Sequence, residues 1–253
     1  EMSASLVGSE MCIRDRISTV EFANRLGKVP LLYQPGQSWS YGTSADVVGA
    51  VIEVASGMRF GDFLKKEIFE PLGMNDTDFW VPAEKQDRLA KVYDCREGQP
   101  SVRYLDNNLG IQNDMAYRPA YEAGGAGLAS TIDDYAKFTQ MLLNGGTYNG
   151  VQILRPATVK FLGGHTLSAV QQAGFDNWIG LEGFSYGNLM RVLVDPTRAV
   201  TLGSKGEFGW DGWLGCYMEV VPEQNMTFLM MTQKKDAGTY TLSRKIRNII
   251  FSE

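Results

Sequence analysis

Tyr41 lies in the run Pro35-Gly36-Gln37-Ser38-Trp39-Ser40-Tyr41-Gly42-Thr43-Ser44. A tyrosine on a turn that opens a helix can serve as a general base, but only with a nucleophile in hydrogen-bond reach. No serine in the 253 residues is followed three places later by lysine, the spacing that sets an amine one helical turn from a hydroxyl. Ser204-Lys205-Gly206 and Ser243-Arg244-Lys245 have the wrong spacing, and no Gly-x-Ser-x-Gly elbow occurs, so an α/β-hydrolase reading has no support. For Tyr41 alone, the competing reading is an aromatic packed on a turn. The chain reads as an enzyme that lacks its front end.

The flanking sequence carries a resemblance. The stretch PGQSWSYGTSADVVGAVIEVASGMRFGDFLKKEIFEPLGMNDTDFWVP, the block GGAGLASTIDDYAKFTQMLLNGGTYNGVQIL and the segment GEFGWDGWLGCYMEVVPEQNMTFLMMTQ are similar to the serine β-lactamase-like superfamily. That superfamily includes class C β-lactamases, β-lactamase-fold carboxylesterases and D-Ala-D-Ala peptidases. Its cleft joins a Ser-x-x-Lys helix start, a Tyr-x-Asn-type loop and a Lys-Thr-Gly-type strand, which the esterase branch often writes Trp-Gly-Gly. The resemblance implies that Tyr41 is the catalytic tyrosine, that Thr43 stands where many relatives have Asn, and that Trp210-Asp211-Gly212 is the third element. Trp213 then offers a backbone N–H to the oxyanion, a donor worth roughly 3 kcal/mol. For Trp213 by itself, a strand with aromatics packed on both faces is the equal alternative.

The implied chemistry is acyl transfer through a serine ester. A free tyrosine, with a pKa of about 10, is too protonated at neutral pH to take a serine proton unless a neighbouring ammonium stabilises the phenolate. Asp211, if it faces the cleft, repels the carboxylate of a β-lactam or D-Ala peptide, and Thr43 lacks the amide that grips a peptide carbonyl. Both departures favour a neutral small-molecule ester or amide, hence a carboxylesterase over a penicillin-hydrolysing enzyme. Without Ser-x-x-Lys the chain as written is expected to be inactive. The alternative is a non-catalytic relative that binds peptide or glycan material.

These groups need a framework, and the local signals supply one. Residues 1–16, EMSASLVGSEMCIRDR, show no periodicity and resemble translated adaptor sequence, so they are set apart as a non-native tail. Residues 17–253 read as one partial domain, with a helical, loop-rich portion at 17–183 and strands with a final helix at 184–253. The expected class is α/β of the α+β type: an antiparallel sheet flanked by helices plus a mainly helical lobe, β-lactamase/transpeptidase-like, without its first strands and nucleophile helix. Ser18 and Glu21 form a capping box for a helix through about Gly27. Ser44 opens a second helix with Val47, Val48, Val51, Ile52, Val54 and Ala55 on its apolar side and Gly57 as its cap. A third carries Phe60, Phe63, Leu64 and Ile68 and stops at Pro71. From 76 to 123 the pattern weakens into loops. Helices follow after Thr131 and from Pro156, then strands at 185–195, 206–221 and 226–233, with a turn at 222–225. A last helix at about 237–251 lays Leu242, Ile246, Ile249 and Ile250 on the sheet.

Composition excludes little else. A net charge of −5 gives no electrostatic case for nucleic acid. No apolar run reaches the roughly 18 residues of a membrane span. Cys12, Cys95 and Cys216 are odd in number and lack metal-ligand spacing, and the lone His165 reads as a surface or capping residue. No metal or other cofactor is called for. Compartment and oligomeric state are not fixed by these features.

Overall fold

Ser18 accepts a hydrogen bond from the Glu21 N–H at 3.1 Å, and the helix Thr19–Leu26 starts there; this is the Ser18 half of the expected capping box, while the Glu21 carboxylate accepts from Arg25 at 2.7 Å. A computed structural model describes residues 17–108, 112–238 and 242–252, so the 1–16 stretch lies outside the described residues. Two compact units divide the chain: Gly42–Asp134 with the described part of Glu1–Pro30, and Leu31–Tyr41 with Tyr135–Glu253. The composition change at 183/184 instead marks where the main sheet begins.

In the first unit, the helix Ser44–Ser56 ends on Gly57 at φ 69°, the left-handed cap its sequence announces. Its buried face is not the valine side. Asp46, Gly49 and Ala50 are buried, while Val48, Val51 and Val54 are exposed. The reason is polar: the Asp46 carboxylate accepts from the Tyr121 hydroxyl and from the Gly125 N–H. That anchor turns the helix, because a buried carboxylate must be satisfied. Tyr121 also packs with Ile17, Phe22 and Ala123 in a small core.

The next helix does not stop at Pro71. Phe60–Leu64 is α-helical, Lys65–Phe69 forms a π-turn, and Glu70–Leu72 completes the run before Gly73 at φ 68°. A widened turn just ahead of proline relieves the clash between its ring and the carbonyl four residues back. The expected loop-rich stretch follows, holding the 3-10 turn Ala83–Arg88 and a short antiparallel pair, β1 Tyr93–Asp94 and β2 Val102–Arg103.

The helix Ile132–Leu143 carries the chain into the second unit. There β3 Thr147–Tyr148 and β4 Val151–Gln152 pair. The helix Pro156–Gly164 has proline in its first turn, and Ala169–Phe175 opens with a Ser168/Gln171 capping box. The main sheet is an antiparallel meander in chain order: β5 Phe184–Gly187, β6 Met190–Leu193, β7 Phe208–Asp211, β8 Tyr217–Val221 and β9 Met226–Met230.

Two stretches expected as single strands are hairpins. The 185–195 segment folds back at Asn188 and Leu189, with φ values of 51° and 66°, a left-handed pair that usually calls for Asn-Gly. The 206–221 segment turns at 212–216, closed by the Gly212 N–H donating to the Cys216 carbonyl at 2.7 Å. The final helix, described over Leu242–Ile250, buries Ser243 and Arg247 and leaves Leu242 and Ile249 exposed. The helix thus presents a cation rather than Leu242 and Ile249, while Ile246 and Ile250 are half-buried.

Candidate active site

The site residues of the second unit come from the 31–41 segment, the turn after Phe175 and the strands β5 to β7. The turn at Gly36, φ 85°, brings the chain round to Trp39. Gly174 lets that segment approach the Ala169–Phe175 helix, since a Cβ there would stand 2.5 Å from the Ser38 hydroxyl and 2.7 Å from the Trp39 nitrogen. The Trp39 ring then packs edge-on to Phe175 at 4.8 Å and to Tyr186 at 5.0 Å between centroids. Phe175, Leu181, Phe184 and Leu193 form the buried core beneath.

Tyr41 stands at the edge of this cluster with 54% of its surface exposed. Its ring stacks on Trp210 at 5.6 Å and 14° and meets Trp178 at 4.9 Å and 89°. Two residues 169 positions apart, singled out from sequence as members of one cleft, are therefore in contact. A second phenol, Tyr186, lies 5.2 Å from Trp210 between ring centroids. Burial, and then the nearby Tyr41, push the Tyr186 pKa up to about 12, which makes it a poor base at neutral pH. Exposure distinguishes Tyr41 from it.

Asp211 is held in an ion pair. Its carboxylate accepts from Arg191 Nη1 at 2.5 Å, with Asp211 11% and Arg191 2% exposed. The register explains the pairing: Arg191 lies opposite Gly209, so Asp211, two residues on, is its diagonal neighbour across the strands. Burial works against the Arg191 charge, but Tyr217, Asp211 and Glu219 hold its pKa above the ordinary value. A carboxylate paired with a buried guanidinium repels an anionic substrate less than an open one would.

Gly212 and Trp213 belong to the β7–β8 turn and not to a strand. The Trp213 indole N–H donates to Asp236 at 2.5 Å, and the Ala237 N–H donates to the Trp213 carbonyl at 3.1 Å. Asp236 thus ties the charged run Lys234-Lys235-Asp236 to the β7–β8 turn. Thr43 belongs to the first unit, where it caps the Ser44–Ser56 helix through its carbonyl, which accepts from the Asp46 and Val47 N–H groups. His165 caps the Pro156–Gly164 helix with its backbone N–H, in line with its reading as a capping residue. Trp39, Trp178 and Arg191 were not singled out from sequence. Trp39 shares the Tyr41 run, whereas Trp178 sits in a polar loop with no period to flag it.

Among the described residues, no group of three His, Cys, Asp or Glu side chains could hold a metal, and no helix is long and apolar enough to cross a membrane.

Comparison with known proteins places the chain by its sequence and fold. The chain is 30% identical over 233 residues to Esterase EstB of Burkholderia gladioli, covering 86% of this chain and 55% of the relative. It is 29% identical over 242 residues to an Escherichia coli (strain K12) protein provisionally named a D-alanyl-D-alanine carboxypeptidase, covering 90% and 52%. The chain spans about half the length of the curated relatives it matches. In fold it is similar to the solved structure of EstCE1, described as a hydrolase with promiscuous acyltransferase activity, with a TM-score of 0.78 at 23% identity over 93% of this chain and 62% of that one. The Beta-lactamase family model matches residues 7–249, taking in part of the 1–16 stretch set apart above. With nearly the whole sequence matched and the antiparallel sheet and helices superposing on a solved member of the fold, the chain belongs to the beta-lactamase family.

Proposed function

We propose that this chain carries the general-base part of a serine hydrolase that works through an acyl-enzyme on neutral esters. The carrying observation is the exposed Tyr41 ring stacked on Trp210, which joins the tyrosine loop to the start of the Trp-Asp-Gly element. In the reaction, a serine hydroxyl supplied outside this sequence attacks the ester carbonyl. The Tyr41 phenolate takes its proton and returns it to the departing alkoxide, and water then reverses the sequence to release the acid. Trp213 is the residue proposed to offer its backbone N–H to the developing oxyanion. Esterase names among the relatives support an ester substrate. Neutrality is supported by the Arg191–Asp211 pair, whose charges offset one another beside Trp210.

The sequence contains no Ser-x-x-Lys, so the chain alone is expected to leave a neutral aryl acetate at the buffer rate. Joined to a segment bearing that motif, it is expected to hydrolyse aryl acetates faster than a penicillin. Faster penicillin turnover by the joined enzyme would count against the ester assignment. The same absence favours the second reading, a non-catalytic binder of peptide or glycan material. Turnover by the joined enzyme would exclude that reading.

A further inference from the structure

Tyr41 has no hydrogen-bond partner for its hydroxyl among the described residues; its ring is placed by aromatic packing. Trp178 supplies much of that packing. Its ring stands at 89° to Tyr41 and at 86° to Trp210, with centroids 4.9 and 5.7 Å away. Tyr41 and Trp210 are near parallel, at 14°. One pair of stacked rings and a third ring perpendicular to both make an aromatic corner. Trp178 and Trp210 are only partly buried, Tyr41 is more than half exposed, and the neighbouring Ile179 is 79% exposed. Trp39 backs the corner, 6.4 Å from Tyr41 and 5.7 Å from Trp178 between centroids, and Tyr41 is its most exposed wall. The nearest ionic groups on the strands, Arg191 and Asp211, are paired with one another.

We infer that Trp178 is a specificity-determining residue, and that the corner it forms with Tyr41 and Trp210 receives an aromatic ring of a neutral ester or amide. This rests on the esterase reading of the same site and adds the class of group it takes. A planar ring entering a right-angled corner meets one wall by its face and the other by its edge, the two geometries aromatic pairs prefer over simple area contact. A saturated ring of the same size gains the buried area but not the quadrupole match. The difference amounts to about threefold to tenfold in affinity.

The test uses the chain as it stands and reads binding alone, with two neutral amides that differ only in the ring: acetanilide and N-cyclohexylacetamide. Ligand-observed NMR titration is expected to show acetanilide bound about threefold to tenfold more tightly. Trp178→Leu, its fold checked by far-ultraviolet circular dichroism, is expected to lose that preference, while Trp178→Phe keeps most of it. Equal affinity of the two amides for the wild-type chain overturns the inference, whether or not Trp178→Leu folds. An undiminished preference in folded Trp178→Leu also overturns it. Tyr41→Phe keeps the ring and removes the hydroxyl, so the preference is expected to persist there. A hydrolase reading that failed at the Tyr41 hydroxyl would thus be told apart from a corner that failed to bind.

Discussion

At the scale of single residues, the assignment turns on which groups are left available. Tyr186 is the nearer rival to Tyr41, but burial raises its pKa to about 12, whereas Tyr41 is open to solvent. Asp211 is held by Arg191, and this reverses what its replacement should do. In an open cleft, Asp211→Gly would relieve repulsion and admit anionic substrates. Here it removes the carboxylate hydrogen-bonded to a fully buried guanidinium, whose Nη2 already lacks a hydrogen-bond partner. Removing one member of a buried ion pair costs about 3–5 kcal/mol. Chemical denaturation of Asp211→Gly is therefore expected to show a loss of that order, with no gain in cephalosporin turnover in a completed enzyme. A stable variant that hydrolysed cephalosporins would restore the open-carboxylate view. The sequence showed that an acid stood in the Trp-Gly-Gly position. It could not show the partner, because a diagonal contact depends on strand register, and β6 and β7 are joined by the long 194–207 connection rather than by a tight turn with a residue signal of its own.

At the scale of elements, the last helix shows how a buried charge can override an apolar stripe. The Arg247 guanidinium donates to Glu207 at 2.6 Å, to the Leu202 carbonyl at 2.9 Å, to the Tyr217 hydroxyl at 3.2 Å and to Glu219. Periodicity pointed to Leu242, Ile246, Ile249 and Ile250, of which Ile246 and Ile250 are half-buried, but the sheet offers this helix two buried carboxylates, and leaving them unpaired would cost more than exposing Leu242 and Ile249. Burial first, and then Glu219, push the Glu207 carboxyl from its ordinary 4.5 to about 8, against the pull of Arg247. Folding therefore takes up a proton between those values. The stability tied to the protonated Glu207 is full below about pH 4.5, declines as pH rises, and is lost above about 8. Urea midpoints measured across that window are expected to fall with rising pH, and Glu207→Gln is expected to flatten the slope. An unchanged slope in the variant would place the proton on another group. Most helix starts and caps were legible because Ser18, Gly57 and Pro156 each impose a local backbone demand. Faces and hairpins were less so, because long-range polar partners choose them.

At the scale of the whole molecule, a chain spanning about half the length of its curated relatives carries apolar surface in each unit. Val48, Val51 and Val54 are exposed on the Ser44–Ser56 helix, and Leu31, Leu32 and Ile179 in the second unit are 69–79% exposed. Valines at three-residue spacing lie along one side of a helix, and contiguous apolar surface of this kind promotes association. Light scattering is expected to show the average mass rising with concentration, and Val51→Lys is expected to reduce that rise. A chain that stays monomeric at high concentration would show that the valine face is too small to associate.

The Tyr41 hydroxyl is the group proposed to move the proton in acyl transfer. The rate of the first burst of phenol released from an aryl ester, measured by rapid mixing in the enzyme completed with Ser-x-x-Lys, reports on that step. Tyr41→Phe, which keeps the stack on Trp210, is expected to slow the burst by about a hundredfold or more. A burst of unchanged rate in that variant would remove Tyr41 from the chemistry and leave it a wall of the site.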